Sequence, residues 1–231
     1  MTTSIQHIAL IPDGNRRWAK AHNLPVLMGH RRVVEKVFPD LVKKALELHL
    51  PYFTIWGFST ENWSRSQEEV EGLFQLFNFF FDTYGQQLHQ QGVRLVRLGR
   101  VDDLSPAFNQ LIEKWVATTK DNQALQLNIA FNYGGRDEII RAVNQILAQN
   151  PPPASITEVD FAPYLDTAAT KIPDPDLIIR TSGEKRLSGL FSWQSAYSEL
   201  YFSDKQMPDW QASDLEDAIN DYYHRQRRYG K

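Results

Sequence analysis

The sequence predicts an α/β protein, a single domain over residues 1–231 with a largely parallel central sheet of about six strands flanked by helices. Three observations predict it. Apolar runs too short for helices recur ahead of Pro12, at Tyr52–Phe58, at Leu125–Asn132 and at Asp176–Arg180. Stretches with helical spacing separate them. Polar loops bearing glycine or arginine follow each run, where ligands of open α/β sheets collect.

At 231 residues the chain can bury one substantial core, and 42% hydrophobic with 23% charged residues is ordinary for a globular protein. A net charge of −3 argues against a general nucleic-acid coat, although arginines cluster near the C-terminus. The absence of cysteine excludes disulfides and thiolate metal sites. No apolar run approaches the roughly 18 residues of a membrane span. The start MTTSIQHIAL lacks a charged segment ahead of an apolar one, so the chain reads as cytoplasmic.

Ile8 to Trp18, IALIPDGNRRW, reads as a buried strand ending in an anion-binding loop. Gly14 can take backbone angles other residues avoid, and the N–H groups of a helix start suit a phosphate. Asp13 beside such a loop makes sense if a divalent cation bridges carboxylate and phosphate, with Arg16 and Arg17 adding charge. Asp-Gly-Asn is equally a common turn, and Arg-Arg-Trp a common solvated helix start. Gly29-His30 begins a helix to about His49 that Pro39 should kink or divide, and His30 is a candidate second phosphate contact or a surface histidine.

Tyr52–Phe58, aromatic and β-branched, is a strand buried on both faces, and it delivers Ser59, Thr60, Glu61, Asn62, Trp63 and Arg65 at its end. Ser66 and Glu69 form a capping box for a helix to about Gln91. Its stripe of Leu73, Phe74, Phe77, Phe80 and Phe81 is either core packing or one wall of an apolar tunnel. Val93–Gly99 alternates as a strand with one wetter face, and Ser105-Pro106 starts a helix to about Lys120. Leu125–Asn132 is a strand followed by a helix to Gln149, Asn150 to Pro153 a surface connection, and Thr157–Leu165 a short helix.

After the strand Asp176–Arg180, the stretch Arg180 to Gly189 concentrates cations, hydroxyls and glycines in a way that suits a pyrophosphate, or a mobile solvated loop. Leu190–Tyr197 reads as a short helix and Glu199–Phe202 as a last strand. Glu199 is either solvated or a metal carboxylate with Asp13. Ser213 and Glu216 form a capping box for a final helix ending near Arg225, Arg227 and Arg228.

Taken together, HIALIPDGNRRWA, Gly29-His30-Arg31, FSTENWSR, NYGGRDEI and DLIIRTSGEKRLSGLFSWQSAYSELYF resemble the cis-prenyltransferases, the undecaprenyl pyrophosphate synthase family, over nearly the whole chain. The resemblance implies condensation of isopentenyl pyrophosphate onto an allylic pyrophosphate such as farnesyl pyrophosphate, with Mg²⁺. It implies that Asp13 is the essential carboxylate at the allylic pyrophosphate, with Gly14, Asn15, Arg16, Arg17, Trp18 and His30 lining that site. Ser59, Thr60, Glu61, Asn62, Trp63 and Arg65 would position substrates, Arg180, Arg186 and Ser188 would hold isopentenyl pyrophosphate, and Glu199 would be the other magnesium carboxylate. Arg228 and Gly230 match an Arg-x-Gly ending that reaches across a homodimer. A carboxamide has almost no basicity, so Asn62 orients, while Asp13 or a phosphate oxygen takes the proton lost on bond formation.

Pro12, Arg16, Val26 and Gly189 depart from the commonest pattern and bear on substrate preference and product length. Gly57 suggests an open tunnel and a medium-to-long product such as undecaprenyl, whereas the Phe-rich helix could narrow it towards a short chain. A lipid product implies peripheral membrane contact. A catalytically silent partner subunit of the same fold is the rival, against which Asp13, Asn62 and Glu199 all stand. No Gly-x-x-x-x-Gly-Lys-Ser/Thr loop supports a nucleotide enzyme, and no paired Asp-Asp-x-x-Asp motif a trans-type synthase.

Overall fold

The computed structural model describes residues 4–225. The short apolar runs become β1 (His7–Ile11), β2 (Tyr52–Ser59), β3 (Val93–Leu98), β4 (Leu125–Tyr133), β5 (Leu177–Arg180) and β6 (Glu199–Phe202). They form one sheet in the order β3-β4-β2-β1-β5-β6, every neighbouring pair parallel. Parallel strands need crossovers, which α1 (Asn15–Ala21), α2 (Val26–Arg32), α3 (Phe38–Glu47), α4 (Gln67–Gln90), α5 (Pro106–Thr119) and α6 (Gly135–Leu147) provide. α7 (Glu158–Phe161) precedes β5 and α8 (Ala212–His224) closes the described chain. From β1 the chain adds β2 alongside, skips a place to lay β3 at the edge, returns to insert β4 between them, and then crosses β1 to add β5 and β6 on the other side. The sheet therefore has its switch point between β1 and β5, the crevice where such folds bind ligands.

Alternation along β1 divides the core. Ile8 and Leu10 join the larger cluster with Leu41, Phe53, Phe77, Phe81 and Phe131, while Ala9 and Ile11 face a smaller one with Trp56, Ile178, Leu190 and Phe191. A buried polar line crosses the sheet as well. His7 Nε2 lies 2.7 Å from Thr54 Oγ1, Asn128 donates to that hydroxyl at 2.9 Å, and Gln126 donates to Asn128 at 3.0 Å. His7 Nδ1 lies 2.7 Å from the Pro173 carbonyl, which can only accept, so Nδ1 carries the proton and Nε2 accepts from Thr54.

Several elements differ from the sequence reading. The helix expected from Gly29 starts at Val26, after Pro25, and it is divided just ahead of Pro39, as expected, into α2 and α3. A π-helical turn, Val33–Val37, precedes Pro39 and makes room for its ring. The Glu35 carbonyl, which residue 39 has no N–H to satisfy, accepts instead from the Tyr84 hydroxyl at 2.8 Å. Leu190–Tyr197 is a run of turns rather than a helix. Phe191 takes positive φ within it and Ser188 and Gly189 do so just ahead of it, and left-handed residues do not propagate a right-handed helix. The final helix is capped by Gln211 with Asp214 rather than by Ser213 with Glu216, and it ends at His224. Arg228 and Gly230 lie outside the described residues.

Candidate active site

The loops leaving β1, β2 and β5 meet over a cavity of about 760 Å³. Its mouth is polar, with Asp13, Gly14, Asn15, Arg16, Arg17, His30, Ser59, Glu61, Asn62, Arg65, Arg180, Arg186 and Ser188 on the wall. Its depth is apolar, closed by Val33, Val34, Phe38, Trp56, Leu73 and Phe77, and Gly57 lines it too, backed by the Phe131 ring, which a Cβ on Gly57 would meet at 3.0 Å. The aromatic stripe of α4 is thus both things the spacing allowed. Leu73 and Phe77 line the cavity, while Phe80 and Phe81 belong to the core.

Asp13 sits where β1 and β5 part. Its N–H donates to Thr181 Oγ1 at 2.8 Å and its carbonyl accepts from that hydroxyl at 2.7 Å, so the two loops are bolted together at the switch point. The carboxylate accepts from the Gly14 N–H through Oδ1 at 2.6 Å and from Arg180 Nη2 through Oδ2 at 2.9 Å. Gly14 has a φ of +98°, and a Cβ there would lie 2.6 Å from Ser182 Oγ, so the turn requires glycine. Gly29 is required for a different reason. A Cβ on it would lie 2.1 Å from the Asn15 carbonyl oxygen, and this close approach of α1 and α2 brings His30 to the cavity.

Arg180 is buried, its side chain 6% exposed, and much of its fork is committed to the protein. Nη2 holds Asp13, while Nη1 donates to the Arg186 carbonyl at 2.5 Å and to Ser188 Oγ at 2.7 Å. It therefore braces the carboxylate against the 186–188 loop. Glu184 ties Arg186 to Arg17, the latter at 3.2 Å. Asn62 accepts from the Ser59 N–H at 3.2 Å through Oδ1, completing a reciprocal cap that leaves its NH₂ to face a substrate.

Not every expected residue lines the cavity. Trp18 donates to Asp209 at 2.8 Å, stacks on His22 and lies under the Arg32 guanidinium, pinning α1 from behind. Trp63 donates to Asn132 at 2.8 Å and packs on Phe58 and Phe74, and Thr60 packs against Gly134, so both fasten the β2 loop to β4. Glu199 lies in the row of Leu177, whereas β1 ends in the row of Arg180 and Phe202, two strands away. At about 3.3 Å per residue and about 4.8 Å per strand, it is on the order of 10 Å distant both along and across the sheet. Its carboxylate binds Arg225 at 2.9 Å. Within one chain it does not meet Asp13, and among the described residues no group of three or more His, Asp or Glu side chains could hold a metal ion. The loop after β4 braces the site without lining it, since the Gly135 N–H donates to the Gly189 carbonyl at 2.7 Å.

Glu69, Thr181, Ser182 and Glu184 were missed by sequence reasoning. Glu184 stood among the expected loop cations and could have been noticed; Glu69 was absorbed by the capping-box pattern. In the structure Ser66 Oγ accepts from the Glu69 N–H, but the Glu69 carboxylate turns away to Arg65 at 2.9 Å. Burial, then the guanidinium groups of Arg65 and Arg16, press the His30 pKa down to about 3. The ring is neutral, and its buried Nε2 has no hydrogen-bond partner. Asn15 Oδ1, Ser182 Oγ and Arg180 Nε are likewise buried without partners.

A family model described as "Putative undecaprenyl diphosphate synthase" matches residues 11–230. The chain belongs to this family. The isoprenyl transferase of Thermotoga maritima is 46% identical over 97% of this chain and 96% of its own, and that of Aquifex aeolicus 42% identical over 98% and 96%. The crystal structure of lavandulyl diphosphate synthase from Lavandula x intermedia, in complex with dimethylallyl diphosphate, superposes with a TM-score of 0.94 at 33% identity, covering 98% of both chains. As a family member the protein is a transferase of prenyl groups. No helix among its described residues is long and apolar enough to cross a membrane.

Proposed function

We propose that the protein condenses isopentenyl pyrophosphate onto an allylic pyrophosphate, farnesyl pyrophosphate in the first instance, to give a cis-polyprenyl pyrophosphate. One observation carries the reading: a single cavity of about 760 Å³ has a cationic mouth organised around Asp13 and an apolar depth. An amphiphile with a pyrophosphate head and a hydrocarbon tail matches that division. The cis geometry rests on the family resemblance alone.

Breaking the allylic C–O bond builds negative charge on the departing pyrophosphate. Arg16, Arg17, Arg65 and the Asn62 NH₂ stand where they can stabilise that charge, and neutral His30 can donate from Nε2 without a proton being taken up. The apolar walls exclude water from the allylic carbon. Asp13 or a phosphate oxygen takes the proton released from the isopentenyl unit, while Asn62 orients. Mg²⁺ fits the donor set, because it is commonly held by one or two carboxylates with substrate phosphates and water completing its shell, and Asp13 is the carboxylate within reach. When bound it would neutralise pyrophosphate charge. Participation of Glu199 would require a second copy of the chain, in keeping with a homodimer, which size-exclusion chromatography with light scattering tests.

For product length, the size of the cavity, about 760 Å³, supports a medium-to-long chain such as undecaprenyl. A short-chain product is the second reading, favoured by the closure of the cavity at Phe38 and Phe77 and by the close match to the lavandulyl enzyme. Incubation with farnesyl or dimethylallyl pyrophosphate, labelled isopentenyl pyrophosphate and Mg²⁺, with products separated by length, decides both. Incorporation abolished by Asp13→Ala establishes the transferase reading; no incorporation with any allylic primer would leave the non-catalytic partner subunit. Co-sedimentation of product-loaded enzyme with lipid vesicles tests peripheral membrane contact.

A further inference from the structure

We propose that Glu69 is a positioning residue for the pyrophosphate held at Asp13, its carboxylate gathering Arg65, Arg16 and His30 into one array of donors. The proposal rests on the pyrophosphate reading above and names a residue outside the expected set. Glu69 Oε1 lies 2.9 Å from Arg65 Nη1, 3.8 Å from Arg16 Nε and 3.9 Å from His30 Nε2. The three partners come from different elements: Arg16 from α1, His30 from α2 and Arg65 from the loop after β2. All three line the cavity mouth, and one carboxylate is their common neighbour.

The physical need is clear. The Arg65 side chain is 22% exposed and Glu69 11%, so both are largely withdrawn from water. A guanidinium in that position beside Arg16 is held only against an anion; otherwise it turns out to solvent. The bond to Glu69 occupies one of five guanidinium donors, leaving the fork able to take a phosphate oxygen as well. The start of α4 does not need this carboxylate, because Ser66 Oγ accepts from the Glu69 backbone N–H.

The alternative has the opposite sign. If Glu69 merely sat near the site, removing its charge would relieve repulsion and tighten anion binding. The test titrates inorganic pyrophosphate calorimetrically into the wild-type chain, Glu69→Gln and Glu69→Asp, with thermal melts alongside. Glu69→Gln is expected to weaken binding about tenfold with an unchanged melting temperature. Glu69→Asp, which keeps the charge at shorter reach, is expected to retain part of the affinity. The KM for the allylic substrate should rise in parallel, with a much smaller change in kcat. With Arg65→Gln already present, Glu69→Gln should add little, since the two act as a unit. Unchanged or tighter binding by Glu69→Gln, additive effects, or a wild-type chain that binds no pyrophosphate would each overturn the proposal. A wild-type chain that binds pyrophosphate but makes no product would overturn the transferase reading and leave Glu69 to be decided by the titration.

Discussion

Arg180 donates to Asp13 across the crevice between β1 and β5, at 2.9 Å, while its other terminal nitrogen holds Ser188. The guanidinium is buried and the carboxylate half-buried, so each depends on the other for orientation. Arg180→Lys cannot span Asp13, Ser188 and the Arg186 carbonyl together, because an ammonium lacks the planar fork. It should lower kcat/KM by about 10²-fold or more. Steady-state kinetics checks this, and activity within a factor of about three of wild type would refute the bracing role.

Stability should fall in mild acid. Burial lowers the pKa of His7 from 6.5 to about 4 and that of His30 to about 3. Below pH 6.5 the unfolded chain therefore takes up both protons before the folded one does, and stability present at neutral pH is lost as pH falls towards 4. Each histidine should contribute a loss of about 2 kcal/mol between pH 7 and pH 5. Urea unfolding at the two pH values measures it, and unchanged midpoints would contradict the assignment of both rings as buried and neutral.

Gly29→Ala should be severely destabilising although glycine is the poorer helix former. Its Cβ would lie 2.1 Å from a backbone oxygen of α1, which cannot move aside alone. A loss above about 2 kcal/mol is expected, together with weaker pyrophosphate binding as His30 and Asn15 separate. Chemical denaturation and calorimetry read the two effects.

Phe77→Ala should lengthen the products. Phe77 closes the cavity and packs against Phe131 at 4.7 Å between ring centroids. Its removal opens space beyond the present end at a cost of about 3 to 4 kcal/mol. Gly57→Leu should act in the opposite sense, since the added side chain fills lined space and its Cβ already meets Phe131 at 3.0 Å. Chromatography of labelled products distinguishes the two, and identical length distributions in both variants would show that the limit lies elsewhere.

What the sequence by itself determined was the alternation of elements and the kind of chemistry. Period-two and period-3.6 patterns depend on local backbone geometry, so the strands and most helices were legible within a few residues. The loops at Asp13, Ser59 and Arg180 were legible because charged and glycine-rich segments after buried strands have few structural uses. Only the tertiary structure decided which side chains serve the cavity and which serve the scaffold. Ser66 and Glu69 satisfy a local capping pattern, yet the Glu69 carboxylate goes to cations that α1, α2 and the β2 loop bring beside it. Trp18 and Trp63 sit within functional motifs but point to Asp209 and Asn132. Arg180 carries the charge of a substrate contact and acts first as a brace. A residue type states what a group can bind; which partner wins depends on distances between segments far apart in the chain, and the folded sheet alone sets those distances.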